Sequence, residues 1–234
     1  MGHHKFAEYD IKREAARMNL SRELRFRNQR QEDYYQLLCS KPLVFAHGPA
    51  GTGKTFLACA RAVELLARKD VNRIILVRPA VESEENLGFL PGSLEEKLDP
   101  YLAPLHDNLH RACTDYDRLE EYLEVAPLAY MRGRTFDNCV VLVDEAQNMT
   151  PDQMLMLLTR LGHKCYCFIM GDPYQNDLLA VENGLDYAVK RMAPCENLVG
   201  VMPFTTADVV RSKLVQAVYA YWFAPEMENT DEQV

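Results

Sequence analysis

No apolar run in this chain approaches the ~18–20 residues that a membrane-spanning helix needs. The opening MGHHKFAEYDIKREAARMNL also lacks the apolar stretch of a signal peptide. These absences predict a protein with no membrane segment and a cytoplasmic location. Cysteine is present without a pattern: Cys39, Cys59, Cys113, Cys139, Cys165, Cys167 and Cys195 make an odd number with no C-x-x-C spacing. That excludes a disulfide framework and predicts reduced core thiols, with Cys165 and Cys167 on the same side of a strand. His106 and His110 form an i, i+4 pair, but no H-E-x-x-H pattern or second ligand cluster accompanies them, so no structural zinc is expected. An excess of positive charge is missing as well. Lys plus Arg number 26 against 34 Asp plus Glu, a net charge of −8, which excludes broad coating of DNA but not a local basic patch. There is no internal repeat and no low-complexity linker. The length of 234 residues gives one sizeable core and is short for two nucleotide-binding domains of roughly 150 residues each.

What is present divides into three parts. Residues 12–30 carry seven basic side chains against two acidic ones, so residues 1–30 read as a basic helical arm, a nucleic-acid or subunit contact or simply a solvated face. Residues 31–224 read as one α/β domain, and residues 225–234, with four acids and no apolar pattern, as a disordered tail. Within the domain, LVFA (43–46), RIILV (73–77), VVLV (140–143) and CYCFIM (165–170) are continuously apolar rather than alternating. Strands of that kind are buried on both faces, which predicts a mostly parallel sheet with helices on either side. Lys54–Lys69 reads as a helix with Leu57, Ala60, Val63 and Leu66 on one face. Leu90-Pro91-Gly92 reads as a turn, followed by a helix started by a capping box at Ser93 and Glu96 and bent or broken at Pro100 and Pro104. Thr150-Pro151-Asp152-Gln153 starts another, whose Met/Leu-rich continuation, Met154–Leu161, reads as core, and a last helix is expected from Thr206 to about Phe223.

Gly48-Pro49-Ala50-Gly51-Thr52-Gly53-Lys54-Thr55 matches G-x-x-x-x-G-K-[ST] where a buried strand passes into a helix, the context that a phosphate-binding loop requires. Its backbone N–H groups and the helix dipole suit phosphate oxygens, Lys54 suits the β- and γ-phosphates, and the Thr55 hydroxyl suits Mg²⁺. A second strand ends in Asp144-Glu145. Asp144 is placed to hold the Mg²⁺, and Glu145 to orient or deprotonate an attacking water provided the strand is already ending there. The continuation Ala146-Gln147 completes D-E-A-Q, which favours a nucleic-acid-stimulated ATPase over a small-molecule kinase. Gly171-Asp172-Pro173-Tyr174-Gln175 follows the fourth apolar run and makes Gln175 the candidate γ-phosphate sensor.

FAHGPAGTGKT (45–55), the stretch 75–105, the stretch 125–154 and MGDPYQNDL (170–178) together resemble the PhoH-like ATPases, which are similar to the helicase superfamily 1 core. The likeness covers roughly residues 28–222. It implies a RecA-like P-loop NTPase domain, ATP with Mg²⁺, and Gln31 as the residue that recognises adenine, with Gln29 as a nearby competitor. It further implies Arg211, in Asp208-Val209-Val210-Arg211, as an arginine finger, although Ser212 and Lys213 stand where the family has histidine and proline. The stretch at Leu179-Ala180-Val181 is shorter than the family's. One P-loop and no room for a second such domain make a neighbouring subunit the expected source of the finger. The resemblance implies a homo-oligomeric, hexameric ring and action on RNA or single-stranded nucleic acid, with helicase activity within its range. The alternative is a regulatory or assembly ATPase acting on a protein partner. Arg78, Arg132 and Arg134 occupy family positions, as contacts to nucleic acid or phosphate, braces of a subunit interface, or surface ion pairs.

Overall fold

The computed structural model describes residues 24–79, 94–175 and 182–222. Its strands are β1 (Leu43–His47), β2 (Arg73–Val77), β3 (Leu123–Val125), β4 (Cys139–Val143), β5 (Cys165–Gly171) and β6 (Val199–Pro203). They form one sheet in the order β3-β2-β4-β5-β1-β6, and every pairing is parallel. The expected α/β architecture of a RecA-like P-loop NTPase is therefore present, with the sheet wholly rather than mostly parallel. Parallel registration puts the C-terminal ends of β1, β2, β4 and β5 along one edge, with His47 beside Gly171 and Val143 beside Val77.

The helices are α1 (Gln29–Ser40), α2 (Lys54–Ala67), α3 (Leu94–Ala112), α4 (Tyr116–Glu120), α5 (Pro151–Leu158), α6 (Gly184–Met192) and α7 (Lys213–Trp222). Alternate strand residues serve opposite faces of the sheet. Val44, Ile74, Val140 and Phe168 pack with α1, α2 and α3, whereas Phe45, Ile75, Val141 and Ile169 pack with Met154 and Leu157 of α5 and Leu185 of α6. Two cores share one sheet, which explains why the central runs read as continuously apolar. The Thr150 capping box forms as expected, with the Thr150 hydroxyl accepting from the Gln153 N–H and the Gln153 side chain accepting from the Thr150 N–H.

Several expectations are corrected. Neither Pro100 nor Pro104 interrupts α3, which runs unbroken over 19 residues. Leu102, Leu105 and Leu109 are buried in the core shared with α2, and Asn108 Nδ2 donates to the Pro104 carbonyl. That packing outweighs a local cost of about 3 kcal/mol for an interior proline. The last helix begins at Lys213 and not at Thr206. Thr206–Asp208 is a separate single turn, closed because the Asp208 carboxylate accepts from the Thr205 N–H and hydroxyl. Val209 is then buried, and Ser212 accepts from Val215 as α7 starts. Cys39 and Cys195 are exposed, while the other five cysteines are buried as expected.

Two strands went unseen in the sequence. β3 has three half-buried residues at a sheet edge, and β6 includes Gly200 and Pro203, which read as turn residues. Of the basic arm, residues 24–28 are not helical, and Leu24 and Phe26 pack against the core. Residues 1–23, the Leu90–Ser93 turn and cap, Leu179–Val181 and the acidic tail lie outside the described residues. Among the described residues, no helix is long and apolar enough to cross a membrane.

Candidate nucleotide-binding site

The loop after β1 turns back through three glycines with positive φ, Gly48, Gly51 and Gly53. All three also sit under close approaches, Gly48 beneath the Phe204 carbonyl. A Cβ on Gly51 would lie 2.7 Å from Cγ of Arg211, and a Cβ on Gly53 would lie 2.8 Å from Nε2 of Gln31. Gly53 caps α2 with no side-chain acceptor, so the first N–H groups of that helix keep their donor capacity for an anion. Lys54, though 8% exposed, points its ammonium at the carbonyls of Gly48 (2.7 Å) and Pro49 (2.8 Å). Burial pushes its pKa below the ordinary lysine value, and Asp172, Asp144 and Glu145 oppose that shift. Ala50 and Thr52 complete the loop, the Thr52 hydroxyl donating to the Pro49 carbonyl.

Two strands away, β4 stops at Val143. Asp144 is 7% exposed and accepts from the Thr55 hydroxyl at 3.1 Å. Burial, then the neighbouring Glu145, raise its pKa from 3.8 to about 6, against the pull of Arg78 and Thr55. Glu145 adopts φ +55°, so the strand direction is broken between the two acids. Both carboxylates can then serve the same edge instead of opposite faces of the sheet. Arg78 at the end of β2 reaches Glu145 at 3.4 Å.

Gln147 ties these acids to β5. Its amide nitrogen donates to Glu145 Oε2 (2.7 Å) and to the Gln175 carbonyl (3.1 Å), while its oxygen accepts from the Asp172 N–H (3.0 Å). Gln175 in turn donates to Asp172 Oδ2 at 2.8 Å. Gln31, and not Gln29, lies at the loop. Its Nε2 donates to the Thr52 carbonyl and its Oε1 accepts from the Arg27 N–H, both at 2.9 Å, whereas Gln29 bonds Asp33 at the exposed side of α1.

Arg211 lies over Gly51 of its own chain, and the Val210 N–H donates to the Gly51 carbonyl at 3.0 Å. A cross-subunit route is therefore not needed to bring Arg211 to this loop. Gln31, Gly51, Gly53, Lys54, Thr55, Asp144, Glu145, Asp172, Gln175 and Arg211 border one cavity of about 1460 Å³. It is larger than the usual small-ligand pocket of about 300–1,000 Å³ and extends past Gln31 to groups outside the phosphate-site motifs, two of them, Arg25 and Arg27, in the basic segment 12–30. These include Arg25, Arg27, Phe56 and Arg111, the Arg111 guanidinium lying 5.5 Å over the Phe56 ring. They come from α2, α3 and the segment before α1, so only tertiary packing unites them. Gln147 was visible inside D-E-A-Q, but its part as a link between two strand ends was not.

The other expected arginines lie elsewhere. Arg134 pairs with Glu124 and stacks 5.1 Å from the Phe136 ring, and Arg132 is exposed. His106 and His110 both lie against the Tyr116 ring, His110 also bordering the nucleotide cavity beside Arg111, and no cluster of metal-ligand type occurs among the described residues.

The family model described as "PhoH-like protein" matches residues 23–222. A PhoH-like protein of Bacillus subtilis (strain 168) is 48% identical over 200 residues, covering 83% of this chain and 62% of the relative. Protein PhoH of Escherichia coli (strain K12) is 46% identical over 203 residues, covering 83% and 57% respectively. The chain thus spans about three fifths of the length of these relatives. Among solved structures, the Pif1 helicase from Candida albicans aligns with 84% of this chain and 44% of its own at 13% identity and a TM-score of 0.41. On the family match across residues 23–222 and the identity to its relatives, the chain belongs to the PhoH-like protein family.

Proposed function

We propose that this chain is a Mg²⁺-dependent ATPase whose hydrolysis is coupled to RNA or single-stranded nucleic acid. The observation that carries the reading is the convergence of Lys54, Thr55, Asp144, Glu145 and Gln175 on one sheet edge, cross-linked through Gln147. Lys54 and the loop N–H groups would hold the β- and γ-phosphates. Thr55 and Asp144 offer two hard oxygens 3.1 Å apart, a donor pair that fits Mg²⁺, and the ion when bound would neutralise phosphate charge. Glu145 orients the attacking water and accepts its proton, and Gln175 meets the γ-phosphate.

Base choice follows from the hydrogen bonds that hold Gln31. One amide hydrogen and one oxygen lone pair are already used, which leaves one donor beside one acceptor. That pair complements N7 and the N6 amine of adenine, whereas guanine presents two acceptors there. Arg211 supplies positive charge to the loop of its own chain. The hexameric ring then rests on the family resemblance and not on the need for a shared finger.

The test is hydrolysis by purified protein with Mg²⁺, with and without single-stranded RNA or DNA, beside Glu145→Gln. Stimulation of several-fold, lost in the variant, supports the reading. Turnover indifferent to nucleic acid transfers it to a protein-coupled ATPase, and no turnover by the unaltered protein under any condition overturns it.

A further inference from the structure

A second cavity, of about 440 Å³, lies between the Arg132-Gly133 loop and α5, and shares no lining residue with the nucleotide cavity. Two guanidiniums border it. Arg132 is exposed and forms no ion pair among the described residues. Arg160 has a buried Nε without a partner, and its outer nitrogens reach only the Arg134 carbonyl at 3.5 Å and the Thr159 hydroxyl at 3.4 Å. Leu155 and Met156 add apolar surface, Leu155 being 61% exposed, and Tyr130, two residues before Arg132, is 63% exposed. At Gly133, where φ is +78°, a Cβ would meet nothing within 4 Å, so the backbone there is open to a visitor.

We infer that this cavity is the grip for a single-stranded nucleic acid, the arginines taking phosphates and the exposed aromatic and apolar side chains taking an unstacked base. The inference rests on the strand-coupled reading above and gives it a surface. Planar guanidiniums beside exposed apolar side chains, with an exposed aromatic two residues before Arg132 in the chain, suit alternating phosphate and base. A duplex hides its base faces and leaves Tyr130 and Leu155 unused. The one acid at the cavity, Asp152, stands in the first turn of α5, whereas Arg160 follows the other end of that helix. The same helix begins at the Thr150 cap, three residues after Gln147. One rigid element thus runs from the phosphate-site acids to the proposed grip.

The test measures anisotropy of labelled single-stranded RNA and DNA of about 12 nucleotides, a hairpin duplex and a glutamate-rich peptide. The full chain is compared with Arg132→Ala, Leu155→Glu and Arg160→Lys, each checked for an unchanged melting temperature. Single-strand affinity is expected to fall roughly tenfold in Arg132→Ala, with the salt dependence reduced by about one phosphate contact. It should fall in Leu155→Glu as well, while binding of a fluorescent ATP analogue is unchanged in both. The RNA and DNA arms decide which strand is held. Unchanged affinity and salt slope in Arg132→Ala and Leu155→Glu overturn the assignment, as does a wild type that binds no strand. Preference for the glutamate-rich peptide, lost in Arg132→Ala, overturns it in favour of an acidic protein partner. Lys54→Ala separates the two readings, because it should lose the ATP analogue and keep the strand.

Discussion

At the seam between α1 and α2, Glu64 accepts from Arg61 Nη1 at 2.6 Å and from the Tyr35 hydroxyl at 2.9 Å, and it pairs with Arg68. At the C-terminal edge of the sheet, Asp144 is buried more deeply and has one hydroxyl within reach. Burial alone would raise Glu64, but its bonds to Arg61 and Tyr35 outweigh burial and hold it below the ordinary glutamate value. Asp144 stands at about 6. Burial is thus repaid within the chain at the seam and left outstanding at the sheet edge, where the counter-charge would come from a bound ion. The seam stabilises the fold, and the edge is held in place by it.

That contrast can be broken most sharply with Lys54→Ala. Its hydrolysis rate should fall by at least about a thousandfold, while its urea midpoint equals or exceeds that of the parent. A fall in midpoint of the size a core truncation gives would show that the edge also holds the fold. Arg211→Ala should cost roughly a thousandfold in rate. Because Arg211 packs on its own Gly51, mixing this variant with Lys54→Ala should restore no activity, and recovery in the mixture would return the finger to a neighbouring subunit. At the seam, Glu64→Gln leaves Arg61, which is 6% exposed, without its carboxylate and should cost about 2 kcal/mol in urea unfolding. Its ATP turnover at low temperature should be near normal.

One expected effect has the opposite sign. In EDTA at neutral pH, Asp144→Asn keeps the acceptor for Thr55 and removes a buried charge, so it should stabilise the chain. The rise from 3.8 to about 6 sets an upper limit of about 3 kcal/mol. Between those two values the folded protein holds a proton that the unfolded chain has lost. Metal-free stability therefore falls as pH rises from about 4 to 6, and Asp144→Asn should flatten that slope. The Glu64 contribution runs the other way: it is present above the unfolded glutamate value and lost as pH falls through the lowered native one. Unfolding curves across pH for the two variants separate the regions. Equal slopes in both would remove the distinction.

The central strands and the phosphate loop were legible because each carries a local signature, continuous apolarity or glycines at fixed spacing. D-E-A-Q likewise announced the two acids, and the Thr150 box announced α5. What stayed hidden depends on neighbours far along the chain. β6 looks like a turn until β1 lies beside it. Pro100 and Pro104 look like breaks until Leu102, Leu105 and Leu109 find the core shared with α2. The break before α7 was misread because the Val210 bond to Gly51 is nonlocal. Arg111 on Phe56 is the same kind of case at the site: neither residue belongs to a motif, and only the packing of α3 beside α2 brings them together.

The amide of Gln147 has two hydrogens, and both are spent, one on Glu145 and one on the backbone of Gln175, while its oxygen takes the Asp172 N–H. Glutamate at this position could not donate at neutral pH, methionine could neither donate nor accept well, and asparagine is one carbon short. Replacement of this residue therefore has no neutral outcome among the side chains nearest in shape. Drift in the chain has many open directions on the exposed face of α7 and none at this one buried amide.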